Sequence, residues 1–384
     1  MKILLRAPLL TNSGYGVHSR QVFKWLRSKP GIQLDVECLN WGATPWLINT
    51  SYEDGIIGEI MSRSKKLQPP YDITFQLQLP DEWDTNLGKI NVGMSAVVET
   101  DKCNPAWLTE CNKMDMIIVP SKFTKSVIKN TGIVTTPIKV VPECFNENIF
   151  HKSENNMSLS TDFNFLMISQ LNSSNPDDDR KNIFNSLKWF CEEFKNDKDV
   201  GLVLKTNMGK GTTIDKKLTQ KMFKSMLDHI GKKQFPKIYL VHGNMTKKEM
   251  SIFYNNDKIK CYATATRGEG FGLPIIDAAA TGMPVIATNW SAHTEYLQDK
   301  FLKVDYTLTQ IRKEKVDQRI FLEGFQWACP NEHNFKKKLR QAYEDFNTVK
   351  EQAKDLQISI LENYSYESIK IQYDKIYKDL VGLV

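Results

Sequence analysis

The chain has 384 residues, 41% hydrophobic and 25% charged, with a net charge of +6. That is length enough for two domains and the composition of a soluble globular protein. No apolar run approaches a membrane span, and the scattered cysteines at 38, 103, 111, 144, 191, 261 and 329 form no Cys-x-x-Cys pair, so neither zinc nor a disulfide framework is indicated and reduced thiols in a cytoplasm are the simple reading. The positive charge is compatible with an anionic nucleotide-sugar, a membrane surface or nucleic acid and does not choose among them.

In chain order, Met1-Lys2-Ile3-Leu4-Leu5-Arg6 is too short in its apolar part for a signal peptide and reads as a first buried strand, Lys2–Ala7. Leu34–Leu39, Ile73–Leu77, Ile90–Val98 and Met116–Val119 read as further strands. Gly16–Leu26 and Ser121–Asn130 read as helices, the second capped by Ser121. The polar run His151–Asp162 lacks periodicity and reads as a linker. Alternation then restarts, with strands at Asn164–Ile168, Gly201–Lys205, Ile238–His242, Ile259–Ala263 and Val285–Thr288. Helices fit Asn182–Phe194, Lys247–Tyr254 and Pro274–Thr281, and the tail reads as two long helices, Asn334–Glu362 and Tyr366–Leu380. Strands alternating with helices predict an α/β fold with parallel sheets covered on both faces.

The most informative stretch is Arg267-Gly268-Glu269-Gly270-Phe271-Gly272-Leu273-Pro274-Ile275-Ile276-Asp277, followed by Ala278-Ala279-Ala280-Thr281-Gly282-Met283-Pro284-Val285-Ile286-Ala287. It reads as a glycine-rich loop, a short helix opened by Pro274, a glycine stop and an apolar strand. Two carboxylates, Glu269 and Asp277, flank one helix N-terminus. Glycines admit a ligand close to the backbone, and the helix end favours a negative group. Such a loop suits a phosphate-linked sugar, with amides for the phosphate and carboxylates for hydroxyls.

These residues resemble the donor-binding signature of retaining glycosyltransferases with the GT-B fold, family 4: Glu-Gly-Phe-Gly-x-x-x-x-Glu, then Ala-x-x-x-Gly-x-Pro-Val-Ile-Ala. Asp277 stands where that family usually has its second glutamate. The resemblance implies two facing Rossmann-like domains with a cleft between them. Residues 1–150 would bind the acceptor and 163–362 the nucleotide-sugar, and 363–384 would form a helix crossing back to the first domain. It also implies a metal-independent glycosyltransferase, a hexosyltransferase that retains anomeric configuration. No cofactor is implied. A UDP- or GDP-sugar would be the donor substrate, and the acceptor a glycan, a lipid-linked sugar or a protein.

Carried over by position, Glu269 would contact hydroxyls of the transferred sugar and Asp277 the nucleotide ribose. Gly270, Phe271, Gly272 and Leu273 would present amides. The family's phosphate-binding arginine position holds Gln170, its lysine aligns with Lys181, and Arg180 stands beside it as a second charge or as a neutraliser of the acidic run before it. Lys205 ends a strand at the edge where open α/β sheets place ligands, so cleft lining and a plain strand exit are equally open. His242 precedes Gly243-Asn244 in a segment resembling the base-binding region, with packing as the alternative. In the first half, Gly14 and Gly16 lie in a loop after strand one where the family lets amides approach the donor phosphate. Glu99, in Val97-Val98-Glu99-Thr100-Asp101, stands near where many relatives carry a histidine on the sugar. His18 reads as a helix-surface or packing residue, and Arg267 as a surface arginine with a cleft-facing side chain as the alternative.

Acceptor recognition is expected in the first half, where Trp41, Trp46, Trp83 and Trp107 lie, although tryptophans more often serve the core. Gly55–Lys66 is weakly amphipathic with a basic end. It reads as a helix packed on the sheet or as a weak peripheral contact with the inner face of a membrane. Two further readings stand beside the main one: the same chemistry on modified DNA bases, without any recognised DNA-binding motif, and a non-catalytic nucleotide-sugar-binding relative, to which Gln170 and Asp277 point.

Overall fold

The computed structural model describes residues 1–151, 157–171, 173, 175–230 and 235–383. The chain divides into two compact units. One holds Met1–Cys144, Gln318–Leu322 and Asn363–Val384; the other holds Phe145–Asp317 and Glu323–Glu362. The first division thus falls at Cys144 rather than after residue 150, and a five-residue piece of the later chain joins the first unit.

In the first unit β1 (Lys2–Ala7), α1 (Gly14–Arg27), β2 (Gln33–Cys38), α2 (Ile56–Arg63), β3 (Tyr71–Leu77), β4 (Gly88–Met94), α3 (Ala106–Cys111), β5 (Met116–Val119), α4 (Lys122–Thr131) and β6 (Ile138–Val140) follow one another. The strands form one parallel sheet in the order β2-β1-β3-β4-β5-β6, with Lys2 opposite Gln33 and Ile3 opposite Ile73. Ile3, Leu4 and Leu5 are all fully buried, which is why β1 reads as a continuous apolar run rather than an alternating one. Ser13 caps α1 by accepting from the Gly16 amide at 3.0 Å, and Ser121 caps α4 through the Thr124 amide. α2 buries Ile56, Ile57 and Ile60, the packing alternative for the Gly55–Lys66 segment.

The second unit continues with β7 (Phe163–Gln170), α5 (Ile183–Glu193), β8 (Val200–Asn207), α6 (Thr213–Ile230), β9 (Lys237–His242), α7 (Ser251–Tyr254) and β10 (Ile259–Thr264). Then come α8 (Leu273–Ala280), β11 (Val285–Thr288), α9 (His293–Leu297), β12 (Leu302–Val304), β13 (Tyr306–Gln310), β14 (Gln326–Pro330), α10 (Glu332–Glu344) and α11 (Phe346–Asn363). Its parallel sheet runs β12-β11-β10-β7-β8-β9, and β13 pairs antiparallel with β14. Phe163, Phe165 and Met167 of β7 and Val200, Leu202 and Leu204 of β8 share a core with Phe190 of α5, Phe194 just after it, and Phe335 and Leu339 of α10.

The last helix, α12 (Tyr366–Val381), belongs to the first unit. Ile369, Tyr373, Ile376 and Leu380, at helical spacing, join that unit's core. Trp25 of α1 stacks on Tyr373 with ring centroids 4.8 Å apart and donates to Asp374 Oδ1 at 2.7 Å.

Several elements differ from the sequence reading for identifiable reasons. The strand expected over Ile90–Val98 stops at Met94, because side chains take the next amides: Ala96 donates to Tyr15 Oη and Val97 to Ser95 Oγ. The helix expected over Asn334–Glu362 breaks between α10 and α11 at Asp345. Only Ser251–Tyr254 of the expected Lys247–Tyr254 helix is helical. α3, β6, α6, α9, β12, β13 and β14 were not anticipated. Part of the expected linker, 152–156, and residues 172 and 174 of the loop after β7 lie outside the described residues. Among the described residues no helix is long and apolar enough to cross a membrane.

Candidate functional site

Open parallel sheets bind ligands beyond the carboxyl ends of their strands, where strand order reverses. In the second unit that reversal lies between β7 and β10, because β8 and β9 continue from one side of β7 while β10 to β12 continue from the other. The loops leaving β7 and β10 carry the charged residues singled out by the sequence.

After β7 the chain is turned by Asp179, whose carboxylate accepts from the Lys181 and Ile183 amides at 3.2 and 2.8 Å. Asn182 then adopts a left-handed conformation, φ 54°, and donates to Ala265 O. This geometry brings Lys181 Nζ to 2.7 and 2.6 Å from the two oxygens of Glu269. Arg180 Nη1 lies 3.5 Å from Glu269 Oε2 and also donates to Gly268 O. Thr266 Oγ1 donates to Glu269 Oε1 at 2.9 Å. The Glu269 amide donates to Ser291 Oγ, and Ser291 contacts His293 Nδ1. His293 Nε2 faces the Thr288 carbonyl at 2.7 Å, which fixes the proton on that nitrogen, and burial holds the imidazole neutral.

Glu269 is 7% exposed. Burial alone would raise its pKa, but Lys181 and then Arg180 overcome that and hold it down at about 2. The loop therefore presents a fixed carboxylate beside two cations at the sheet edge.

On α8, Asp277 accepts from the Asn146 amide at 2.8 Å. Burial pushes its carboxyl up to about 7, against that amide and Lys247. Gly272, at φ 95°, caps α8, and a side chain there would meet Tyr296 Oη at 2.9 Å. Phe271 is buried against Tyr296. Gly270, Phe271 and Leu273 complete the turn into the helix N-terminus.

Residues 178–355 match the family model described as glycosyl transferases group 1. Over this segment, a little under half of the chain, the sequence is similar to the glycosyl transferases group 1. Solved structures with the same fold include sucrose-phosphate synthase from Thermosynechococcus elongatus, 12% identical with 100% of both chains covered and a TM-score of 0.66. Anabaena Alr3699/HepE in complex with UDP and glucose is 12% identical over 99% of this chain and 100% of that one, TM-score 0.65. An E. coli structure described as trehalose-6-phosphate bound with UDP-2-fluoro glucose is 10% identical over 99% of each chain, TM-score 0.62. The fold is GT-B. No curated protein matches in sequence.

Within residues 178–355 the structure joins Lys181, Arg180 and Glu269 directly. Lys205 and His242 lie farther along the same sheet edge, on β8 and β9. The remaining candidates belong to the first unit. Gly16 approaches Thr11 so closely that a Cβ would sit 2.0 Å from Thr11 O, and its amide is taken by Ser13. Its glycine thus serves packing and capping, whereas Gly14 is exposed and open. Glu99 is half-buried in the loop after β4, where Val97 has φ 43°, a strained value for a β-branched residue.

Arg267 overturns its surface expectation. It is buried, its guanidinium lies 5.5 Å over the Trp327 ring, and its backbone links Arg180 O to the Ala328 amide. Thr266, Ser291 and His293 escaped the sequence reading because each acts by hydrogen bonding across the fold. Trp107 is core and Trp83 nearly so, Trp46 is 42% exposed, and Trp41 stacks on Tyr15 with centroids 3.7 Å apart.

Proposed function

We propose that this chain transfers a sugar, a hexose, from a nucleoside diphosphate sugar to an acceptor hydroxyl with retention of anomeric configuration. The single observation that supports it most is the Lys181–Glu269 pair, with Arg180 beside it, at the strand-order reversal of a segment similar to the glycosyl transferases group 1. In the reaction the bond from the anomeric carbon to the diphosphate oxygen breaks, and a bond from the acceptor oxygen forms. The acceptor's proton leaves toward the diphosphate. Negative charge grows on the leaving oxygen, and Lys181 and Arg180 are assigned to stabilise it. Glu269 is assigned to sugar hydroxyls and Asp277 to the ribose. A leaving group held beside the acceptor on one face of the sugar needs no protein nucleophile, so positioning and electrostatics are the protein's share.

UDP-sugars are the first donors to test, since the similar structures carry UDP, glucose and UDP-2-fluoro glucose. The acceptor is assigned to the first unit, as a glycan, lipid-linked sugar or protein hydroxyl. A thermal-shift screen of UDP-, GDP-, ADP- and CMP-sugars, repeated on Glu269→Ala and Asp277→Ala, tests the donor assignment. One nucleotide class should raise the melting temperature, and both substitutions should weaken the rise. Absence of a shift with every donor would sink the reading. NMR of the product's anomeric proton tests retention.

A further inference from the structure

Arg267 is a buried cation that the transfer chemistry leaves unused. It is 5% exposed, and its Nε has no hydrogen-bond partner. Among the described residues it forms no ion pair, since Glu269, two positions on, pairs with Lys181 and Arg180 instead. A desolvated charge is costly unless it is paired, and an apolar side chain of similar size often fills such a place with no loss of stability. Stability alone therefore does not account for an arginine here.

What Arg267 does hold is main chain. Its amide donates to Arg180 O at 2.8 Å, and its carbonyl accepts from the Ala328 amide at 3.0 Å. Its Nη2 donates to Asn182 Oδ1 at 3.5 Å, and Asn182 Nδ2 donates to Ala265 O at 3.0 Å. The guanidinium lies 5.5 Å over the buried ring of Trp327. Three segments meet on this one residue: the turn 180–182, the loop 265–269 and strand β14. The first two carry Arg180, Lys181 and Glu269.

β14 belongs to the hairpin with β13, which is part of neither parallel sheet. It is the inner strand: Trp327 and Ala328 are buried, whereas Thr307 and Leu308 of β13, the register partners of Cys329 and Ala328, are exposed. The chain between the two strands reaches the same turn a second time, through Arg312 and Asp177 at 3.0 Å, but both are exposed and such a pair contributes little. A planar guanidinium buried on an indole face holds one geometry, as a lysine would not.

We propose that Arg267 and Trp327 are positioning residues for the sugar transfer. The hairpin holds Arg267, Arg267 holds the turn 180–182, and the two cations assigned to the diphosphate are thereby fixed before it arrives. Charges placed in advance stabilise growing negative charge without reorganising, and a misplacement of about 1 Å costs about a hundredfold in rate. Both residues act through Arg180 and Lys181 rather than on the substrate.

This inference rests on the donor reading given above, and the test keeps the two apart. Inorganic pyrophosphate, UDP, GDP, CDP and ADP are titrated calorimetrically into the full chain, and the tightest of them into the variants. Arg267→Met keeps bulk against Trp327 and removes the guanidinium. It should melt no lower than the native protein while binding the diphosphate about tenfold more weakly, the loss of one charge-assisted hydrogen bond. Arg267→Lys, which keeps the charge without the planar group, should lose as much. Trp327→Leu should match Arg267→Met, and Trp327→Phe should restore most of the affinity. On a Lys181→Ala background Arg267→Met should lose most of its effect, a readout that holds whether or not stability changes. Arg312→Gln should change binding by less than about twofold. Unchanged binding in Arg267→Met and Trp327→Leu makes both residues structural and overturns the proposal. Native binding by Arg267→Lys, or losses additive with Lys181→Ala, means that the charge acts on the ligand directly and overturns it too. If none of the five ligands binds the native protein, the donor reading itself fails and takes this inference with it.

Discussion

Lys181 Nζ lies within hydrogen-bonding distance of both carboxylate oxygens of Glu269, 88 residues later in the chain. The pair links the loop leaving β7 to the loop leaving β10 across the point where strand order reverses. Removing one partner of a buried pair leaves the other charge desolvated. Lys181→Ala should therefore cost about 3 kcal/mol of stability, while Lys181→Ala combined with Glu269→Gln should cost less than the sum of the two. Urea denaturation of the single and double variants measures this coupling. Additive effects would mean that the contact contributes nothing.

The same pair sets an acid limb. Glu269 titrates at about 2 when folded, against an ordinary 4.5. Its contribution is fully present above pH 4.5 and is lost as pH falls toward 2. The difference in stability between the native protein and Glu269→Gln should shrink over that window and be flat above pH 5. A constant difference down to pH 2 would show that Glu269 is not held as a low-pKa carboxylate.

Glu143 runs the other way. It is buried, 4.0 Å from His18, with Oε2 lacking a hydrogen bond. The distance resembles an ion pair, but burial pushes Glu143 up to about 8 and His18 down to about 3, so both are neutral near pH 7. The folded Glu143 carboxyl then holds a proton that the unfolded chain releases above about 4.5, so its own contribution to stability falls between pH 4.5 and 8, offset up to about pH 6.5 by His18, which only the unfolded chain protonates there. Glu143→Gln should remove part of that fall, gaining most above pH 8 and nothing at pH 4. Parallel melting curves from pH 4 to 9 would exclude the buried neutral acid.

Much of this was legible in the sequence because its signals are local. The run Gly268–Asp277 announces loop, helix and paired carboxylates, and Ser121 announces its helix. The long helix α6 was legible too, though it went unread. Thr212 and Asp215 form reciprocal backbone bonds, with the Asp215 amide on Thr212 Oγ1 at 3.2 Å and the Thr212 amide on Asp215 Oδ2 at 2.8 Å. Arg267 was misread because its burial depends on Trp327, 60 positions away and on a strand that no local pattern revealed. His293 was invisible for the same reason, since its partners at 288 and 291 matter only once the Glu269 loop lies against them.

Gly14 and Gly16 separate two uses of glycine in one loop. An added methyl at Gly16 would meet the Thr11 carbonyl, which cannot retreat without moving backbone, and the Thr11 hydroxyl, whereas Gly14 faces open space. Gly16→Ala should destabilise by about 2 kcal/mol or more, and Gly14→Ala should leave the melting temperature nearly unchanged. Similar losses from both would refute the packing assignment of Gly16.

Tyr373 decides whether α12 is an integral part of the first unit. Its ring stacks on Trp25, and its hydroxyl contacts His18 Nε2 at 3.1 Å. Tyr373→Phe removes the hydroxyl and leaves a buried ring nitrogen unpaired, which should cost about 1–2 kcal/mol. Tyr373→Ala also opens a cavity beneath Trp25 and should cost about 3–5 kcal/mol. The order of the two losses carries the argument. If Tyr373→Ala costs no more than Tyr373→Phe, the ring contributes no packing, and α12 rests on the unit without being part of its core. If the losses fall in the expected order, the last helix is core, and shortening the chain before Tyr366 should unfold the first unit rather than trim it.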